Sequence, residues 1–375
     1  IVVMIKTSMN VVCYKLMAFK TNYNEILELI DHIDPVSYCK NRNYINGNVT
    51  KLSPYISRGV ISTKQVLKAS LEKVNSFKSI EKFIQELVWR DYWQMYWKIK
   101  GFDKFETLQD FTIPTAILNA QTGIEAIDKA IIELYETGYM HNHLRMYTAG
   151  VCCNIGQYHW LNPAKWMYFH LLDGDWGSNA LSWQWVAGTN SNKKYIANQE
   201  NINKYCHTNQ QNTFLNKSYE ELTKYNHVPK ELNEEVNAEF IYELPKNELL
   251  NIDNQLPIFI YNSYNLDSNW RKEIKGNRIL LFEPSHFKKY PISNKVINFI
   301  IELSKEIEGI KIAVMEFDEL MKIVKKESNI FFKEHPFNNH YKGNKEERDW
   351  IFPEIDAKGS FFSYWKKGIK TYQNK

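Results

Sequence analysis

Residues 122–185 read TGIEAIDKAIIELYETGYMHNHLRMYTAGVCCNIGQYHWLNPAKWMYFHLLDGDWGSNALSWQW. Three features follow one another here with short spacers: His141-Asn142-His143-Leu144-Arg145, then Asp173-Gly174-Asp175, then a tryptophan-rich run ending Trp183-Gln184-Trp185. Eight of the eleven tryptophans lie between Trp89 and Trp185. That density exceeds what a packed core needs, so the stretch reads as a site that holds a large planar cofactor and moves electrons. The surrounding periodicity is helical. Ile124, Ile127, Ile131, Leu134 and Tyr135 share one face. Thr122 and Glu125 have the spacing of a capping box, and Gly138 closes the helix. Asn142, Arg145 and Met146 fall on one face of the next. Asn162-Pro163 reads as a cap followed by a first-turn proline. Ser178 reads as the cap of a short helix carrying Asn179, Trp183 and Trp185.

Toward the N-terminus, residues 22–33 repeat at the helix period and stop at Asp34-Pro35. Thr50 and Ser53 place two hydroxyls beside Pro54 at an expected helix start, where free N–H groups and hydroxyls suit an anion. Alone, the same residues would be simple caps. Residues 79–99 form a strong helix with Phe83, Leu87, Val88 and Trp89 inward. Glu86, Trp89, Arg90 and Trp93 are three or four residues apart on one face. A carboxylate, an indole and a guanidinium could grip a ligand there; by themselves they fit an amphipathic core helix with an ion pair equally well. Toward the C-terminus, residues 190–250 lose periodicity and read as a polar surface excursion and then a linker. Strands are expected at 258–261, 278–283, 311–316 and 329–334, with helices over 294–307 and 317–326. Continuous apolar strands between helices imply a small parallel α/β domain. It lacks G-x-G-x-x-G, so no dinucleotide fingerprint is present. The basic run FFSYWKKGIKTYQNK reads as a solvated end.

Composition sets the class. The 375 residues are 44% hydrophobic and 24% charged with a net charge of +4, which describes a folded globular chain. The charge permits a basic surface without demanding nucleic acid. The five cysteines (Cys13, Cys39, Cys152, Cys153, Cys206) form no C-x-x-C pair, which suits reduced thiols and a cytoplasmic location. No run of 18 apolar residues occurs, so no membrane span is expected. The first residues lack a signal-peptide core and cleavage site. The expected organisation is a leader over 1–20, a helical domain over 21–215, a linker over 216–250 and an α/β domain over 251–375.

Taken in order, Val49-Thr50-Lys51-Leu52-Ser53, Glu86-Leu87-Val88-Trp89-Arg90, Met140-His141-Asn142-His143-Leu144-Arg145-Met146, Asp173-Gly174-Asp175 and Trp183-Gln184-Trp185 resemble the photolyase/cryptochrome flavoprotein family. The resemblance covers Tyr38 to Tyr195. It implies a mainly α fold: an all-helical FAD-binding domain, here followed by the small α/β domain rather than preceded by the family's antenna domain. FAD is the implied cofactor, and the antenna chromophore stays unknown. Tyr38, Thr50, Leu52, Ser53, Arg90, Asn142, Arg145, Asp173, Asp175 and Asn179 are the implied FAD-binding residues. Thr50, Ser53 and Arg90 fall to its phosphates, Asp173 to Arg145, and Asn179 to flavin N5. Glu86, Trp89, Asn142, Met146 and Trp185 are implied in the lesion pocket. Trp183 and then Trp160, 23 positions earlier, are implied in electron relay. The relay's outer end has no clear tryptophan; Trp97 or Tyr158 is a candidate.

The resemblance implies a lyase that repairs cyclobutane pyrimidine dimers in UV-damaged DNA, single- or double-stranded, by light-driven electron transfer from reduced FAD. Asn142 fits that lesion, whereas a His in its place would suit the (6-4) type, an option that His143 keeps open. The alternatives are a cryptochrome-like blue-light photoreceptor that repairs nothing, and a light-independent flavoprotein. A monomer with no membrane attachment is expected. No metal is expected: only Cys206 falls where an iron–sulfur ligand would, and one thiol cannot hold a cluster.

Overall fold

The computed structural model describes residues 19–101, 112–191, 193–324 and 329–373. Residues 1–18 of the expected leader, with Cys13, lie outside them. Phe19 packs against Tyr55, Tyr139 and Phe299 with ring centroids 6.3, 5.8 and 6.4 Å away.

The first half is helical, as its periodicity requires. Helices run Tyr23–Asp31, Pro35–Asn41, Ser53–Ser57, Thr63–Leu71, Glu81–Lys100, Glu125–Thr137, Asn142–Gly150, Leu161–His170 and Trp176–Ala187. Ser62 caps its helix in a reciprocal box with Gln65, the arrangement that satisfies two orphan donors at once. Asp34 stops one helix and caps the next by accepting the Ser37 N–H at 2.9 Å. Gly138 closes Glu125–Thr137 with φ 73°, a left-handed conformation that glycine adopts without strain.

Three expected caps are built differently. The Thr122–Glu125 box does not form. Asp128 accepts from the Thr122 N–H and hydroxyl at 2.8 and 2.7 Å and from the Gly123 N–H at 3.2 Å, while Glu125 pairs with Lys129. A carboxylate one turn further in reaches more of the free donors. The helix expected to be capped by Asn162 begins two residues earlier, at Leu161, with Trp160 at the cap position. Asp175 rather than Ser178 caps the tryptophan-rich helix, accepting the Ser178 N–H at 2.8 Å.

The stretch read as polar excursion and linker carries helices Gln199–Cys206 and Tyr219–Thr223 and a short strand. That strand, β2 (Glu235–Val236), pairs antiparallel with β1 (Ile113–Pro114). Beyond it, β3 (Ile258–Tyr261), β4 (Asn277–Phe282), β5 (Ile310–Val314), β6 (Ile330–Lys333) and β7 (Asn344–Glu346) form one parallel sheet in the order β5-β4-β3-β6-β7. Four strands match the expectation. β7 was not expected, because NKE lacks an apolar run; it is an edge strand held by its pairing to β6. The helix read as 317–326 is described as Phe317–Ile323, with 325–328 outside the described residues.

Arg58 joins the two halves. It is fully buried, and its guanidinium donates to the carbonyls of Leu172 and Gly174 at 2.9 and 2.8 Å and of Ser263 at 3.1 Å. Three carbonyls offset the desolvation of a charge that has no ion-pair partner among the described residues. They tie the Asp173-Gly174-Asp175 loop to the loop after β3. The closing helix, Phe361–Gln373, lies against Glu81–Lys100.

Candidate functional site

A cavity with about 1270 Å³ of empty space, open to solvent, lies among the helices of the first half. Its lining draws from four separate segments: Tyr38 with Thr50, Lys51 and Ser53; Glu86 with Arg90; Asn142 with Arg145 and Met146; and Asp173, Asp175, Ser178, Asn179 and Trp183. Thus twelve of the implied residues meet around one space. A smaller cavity of about 810 Å³ sits on the far side of Arg90 and Asp175. Those two are the implied residues that line it, so the larger cavity is the candidate site.

Arg145 and Asp173 form its charged centre. Arg145 Nη2 reaches both Asp173 oxygens, at 3.0 and 2.9 Å, and Nε donates to the Met140 carbonyl at 2.8 Å. Burial alone would raise the Asp173 carboxyl. The charges of Arg145 and Arg90 and hydrogen bonds from Arg145 and Ser53 outweigh it and hold the group below the usual carboxylate range. Ser57 extends the network: it receives Arg90 Nη1 at 2.7 Å and donates to the Asp173 carbonyl at 2.8 Å. Glu86, one turn before Arg90 on the same helix, pairs with Lys82 at 3.1 Å and Arg42 at 3.6 Å.

The phosphate-type corner departs from a simple helix N-terminus. The Ser53–Ser57 helix has five residues, so its dipole adds little. Thr50 Oγ1 accepts the Leu52 N–H at 3.3 Å, and Lys51, at φ 55°, lines the cavity beside it. Two hydroxyls with Lys51 and Arg90 nearby make a cationic, donor-rich wall. Sequence reading missed Lys51, Tyr139, Ser57 and Ser178. Tyr139 directly precedes the Met140–Met146 motif and lines the cavity, with Arg145 5.6 Å from its ring centre. Burial pushes its hydroxyl up to about 12.

Four implied residues do not line the cavity. Leu52 is fully buried, anchoring the loop rather than facing a ligand. Trp160 is buried at the cap position of Leu161–His170. Trp185 is 40% exposed and lies over Tyr195, with ring centroids 5.9 Å apart. Trp89 is covered by Phe361 of the closing helix, with centroids 3.5 Å apart and planes 7° apart. Trp97 is buried and meets Phe337 and His335 of the α/β half at 4.6 and 5.4 Å, so it leads inward. Tyr158 donates to the Leu232 carbonyl at 2.8 Å. His143 is held by the Asn43 carbonyl at 2.8 Å and stacks on Tyr147; it does not line the cavity.

The lining fits a dinucleotide flavin. The cationic wall suits a pyrophosphate. Ser178 Oγ is buried and has no partner within the described residues. Asn179 Nδ2 donates to the Ala164 carbonyl at 2.8 Å, which leaves its carbonyl oxygen as the acceptor available to a ligand N–H.

Residues 83–247 match the family model described as the FAD binding domain of DNA photolyase. A deoxyribodipyrimidine photo-lyase of Alkalihalophilus pseudofirmus is 30% identical over 162 residues, 40% of this chain and 34% of that protein. One of Agrobacterium fabrum is 31% identical over 151 residues, 37% of this chain and 31% of that protein. The chain therefore spans about a third of the length of the curated relatives it matches. Among solved structures, a Synechocystis cryptochrome aligns with a TM-score of 0.44 at 24% identity, over 51% of this chain and 44% of that one. No helix among the described residues is long and apolar enough to cross a membrane. Over residues 83–247 this chain is thus similar to the FAD binding domain of DNA photolyase, which supports FAD as its cofactor.

Proposed function

We propose that the protein repairs cyclobutane pyrimidine dimers in DNA under blue light. The observation that carries this reading is that Glu86, Asn142 and Met146 line the same cavity as Arg145, Asp173, Asn179 and Trp183. A site for flavin alone has no need of Glu86 and Met146, and Asn142 lies where cofactor and substrate would meet. FAD, when bound, supplies light absorption and one electron that the split dimer returns, so the reaction has no net oxidant or reductant.

The chain's own residues position and polarise. Arg145 cannot lose its proton, and Asp173 fixes its orientation through charge-assisted hydrogen bonds. Asn179 presents a carbonyl oxygen as proton acceptor. Glu86 and Asn142 hydrogen-bond the edges of a dimer flipped from the strand, which damage makes less costly to unstack. Trp185, exposed two residues after cavity-lining Trp183, offers a ring to stack on. Trp183, buried at the cavity, is the inner donor of the relay.

A second reading, a photoreceptor that repairs nothing, is favoured by one observation: Phe361 occupies the face of Trp89. Equilibrium binding in the dark separates the two. Repair requires the reduced protein to prefer a dimer-containing strand over an undamaged one and to release it on illumination. Equal affinity for both strands, unaffected by light, supports the photoreceptor.

A further inference from the structure

We infer that the closing helix, Phe361–Gln373, is a guide for the DNA strand beside the proposed repair site. Phe361 and Phe362 have opposite fates. Phe361 is 3% exposed and anchors the helix on Trp89 of the cavity-bearing Glu81–Lys100 helix. Phe362 is 61% exposed, one ring further out, with centroids 5.4 Å apart. From Phe362, Lys366 and Lys370 follow at four-residue spacing and so share its face. Lys367 is exposed beside them. The helix contains no Asp or Glu, and the three lysines have no ion-pair partner among the described residues.

A helix that only faces solvent gains nothing from an exposed aromatic at the start of a cationic stripe. A single strand needs both: a ring for an unpaired base to stack on, and positive charges for successive phosphates. The anchor on Trp89 fixes where that stripe begins, at the helix that carries Glu86 and Arg90. The inference deepens the repair reading by naming the surface that holds the strand flanking the dimer.

The test uses the whole flavin-loaded protein, its Lys366→Gln/Lys370→Gln double variant and its Phe362→Ala variant. Dark affinities for an undamaged and a dimer-containing oligothymidylate are measured from about 50 to 200 mM salt. The double variant is expected to weaken both strands alike and to flatten the log–log salt slope by about 1.4, at about 0.7 per phosphate. Phe362→Ala is expected to weaken both about tenfold with its slope unchanged. Both sites are exposed, so FAD content should hold. Unchanged affinity and slope in both variants would overturn the guide, as would loss of binding to anionic vesicles with strand affinity intact. If the wild-type protein binds strands without preferring the dimer, the repair reading fails while the guide stands or falls on these variants.

Discussion

Phe361 lies flat on Trp89, with ring centroids 3.5 Å apart and planes 7° apart. The indole that the family motif places in the lesion pocket thus has one face used within the chain. Stacking of this kind contributes about 1 kcal/mol beyond the area it buries, and Phe361 brings a whole helix with it.

The two stacking tryptophans should therefore separate by readout. Trp89→Ala should lower unfolding stability by about 3–5 kcal/mol and leave dimer affinity within a few-fold. Trp185→Ala, at an exposed position, should cost under about 1 kcal/mol of stability and about tenfold or more in dimer affinity, with the yellow colour kept. Denaturant melts and strand binding on both variants decide it. A Trp89→Ala protein that stays stable but loses dimer binding would return that indole to the pocket.

Asp173 is 5% exposed and faces Arg145. Asp173→Asn should leave the guanidinium without its partner and cost about 3–5 kcal/mol, with weaker FAD retention on gel filtration. The carboxyl's pKa is lowered in the folded state. Its contribution is hence complete above the unfolded value near 3.9 and is lost only as pH falls through the lower folded value. Wild type should keep its flavin at pH 5.

Histidines set an earlier acid limit. Burial first, then nearby positive charge, depresses His141 and His170 to about 4. Burial likewise takes His286 to about 4 and His335 well below its usual value. A depressed folded value means stability that is full above about 6.5 and falls as pH drops toward 4. For His141, 5% exposed, the loss approaches about 1.4 kcal/mol per pH unit. His340, raised by its hydrogen bond to Glu283, acts with the opposite sign. Thermal melts from pH 7.5 to 4.5 should show a falling midpoint below 6.5. A flat profile would contradict these burials.

Asn179 holds the Ala164 carbonyl through its amide nitrogen. Asn179→Asp would lose that donor and place a carboxylate at the cavity wall. The reduced cofactor, itself anionic, should then reoxidise in air several-fold faster than in wild type, as followed by flavin absorbance. An unchanged rate would remove Asn179 from the redox site.

Much of this was legible in the sequence because the site is built on helix spacing. Asn142, Arg145 and Met146, and Asn179 and Trp183, recur every three or four residues, so their shared faces follow from the backbone alone. What was not legible depends on distant chain segments. Asp128 and Asp175 take the capping roles expected of Glu125 and Ser178 because their carboxylates happen to reach more N–H groups. The polar β7 exists only through its pairing with β6. Phe361 meets Trp89 across more than 270 positions, and no local pattern announces such a contact.

The central claim is that one cavity holds both FAD and a dimer. It is tested most directly by counting dimers in single-stranded DNA after incubation with the reduced, flavin-loaded protein in blue light and in darkness. The account predicts that dimers disappear only in the light, with rates cut at least tenfold in a Glu86→Ala/Met146→Ala variant that keeps its FAD. Bound FAD with an unchanged dimer count in the light would contradict it.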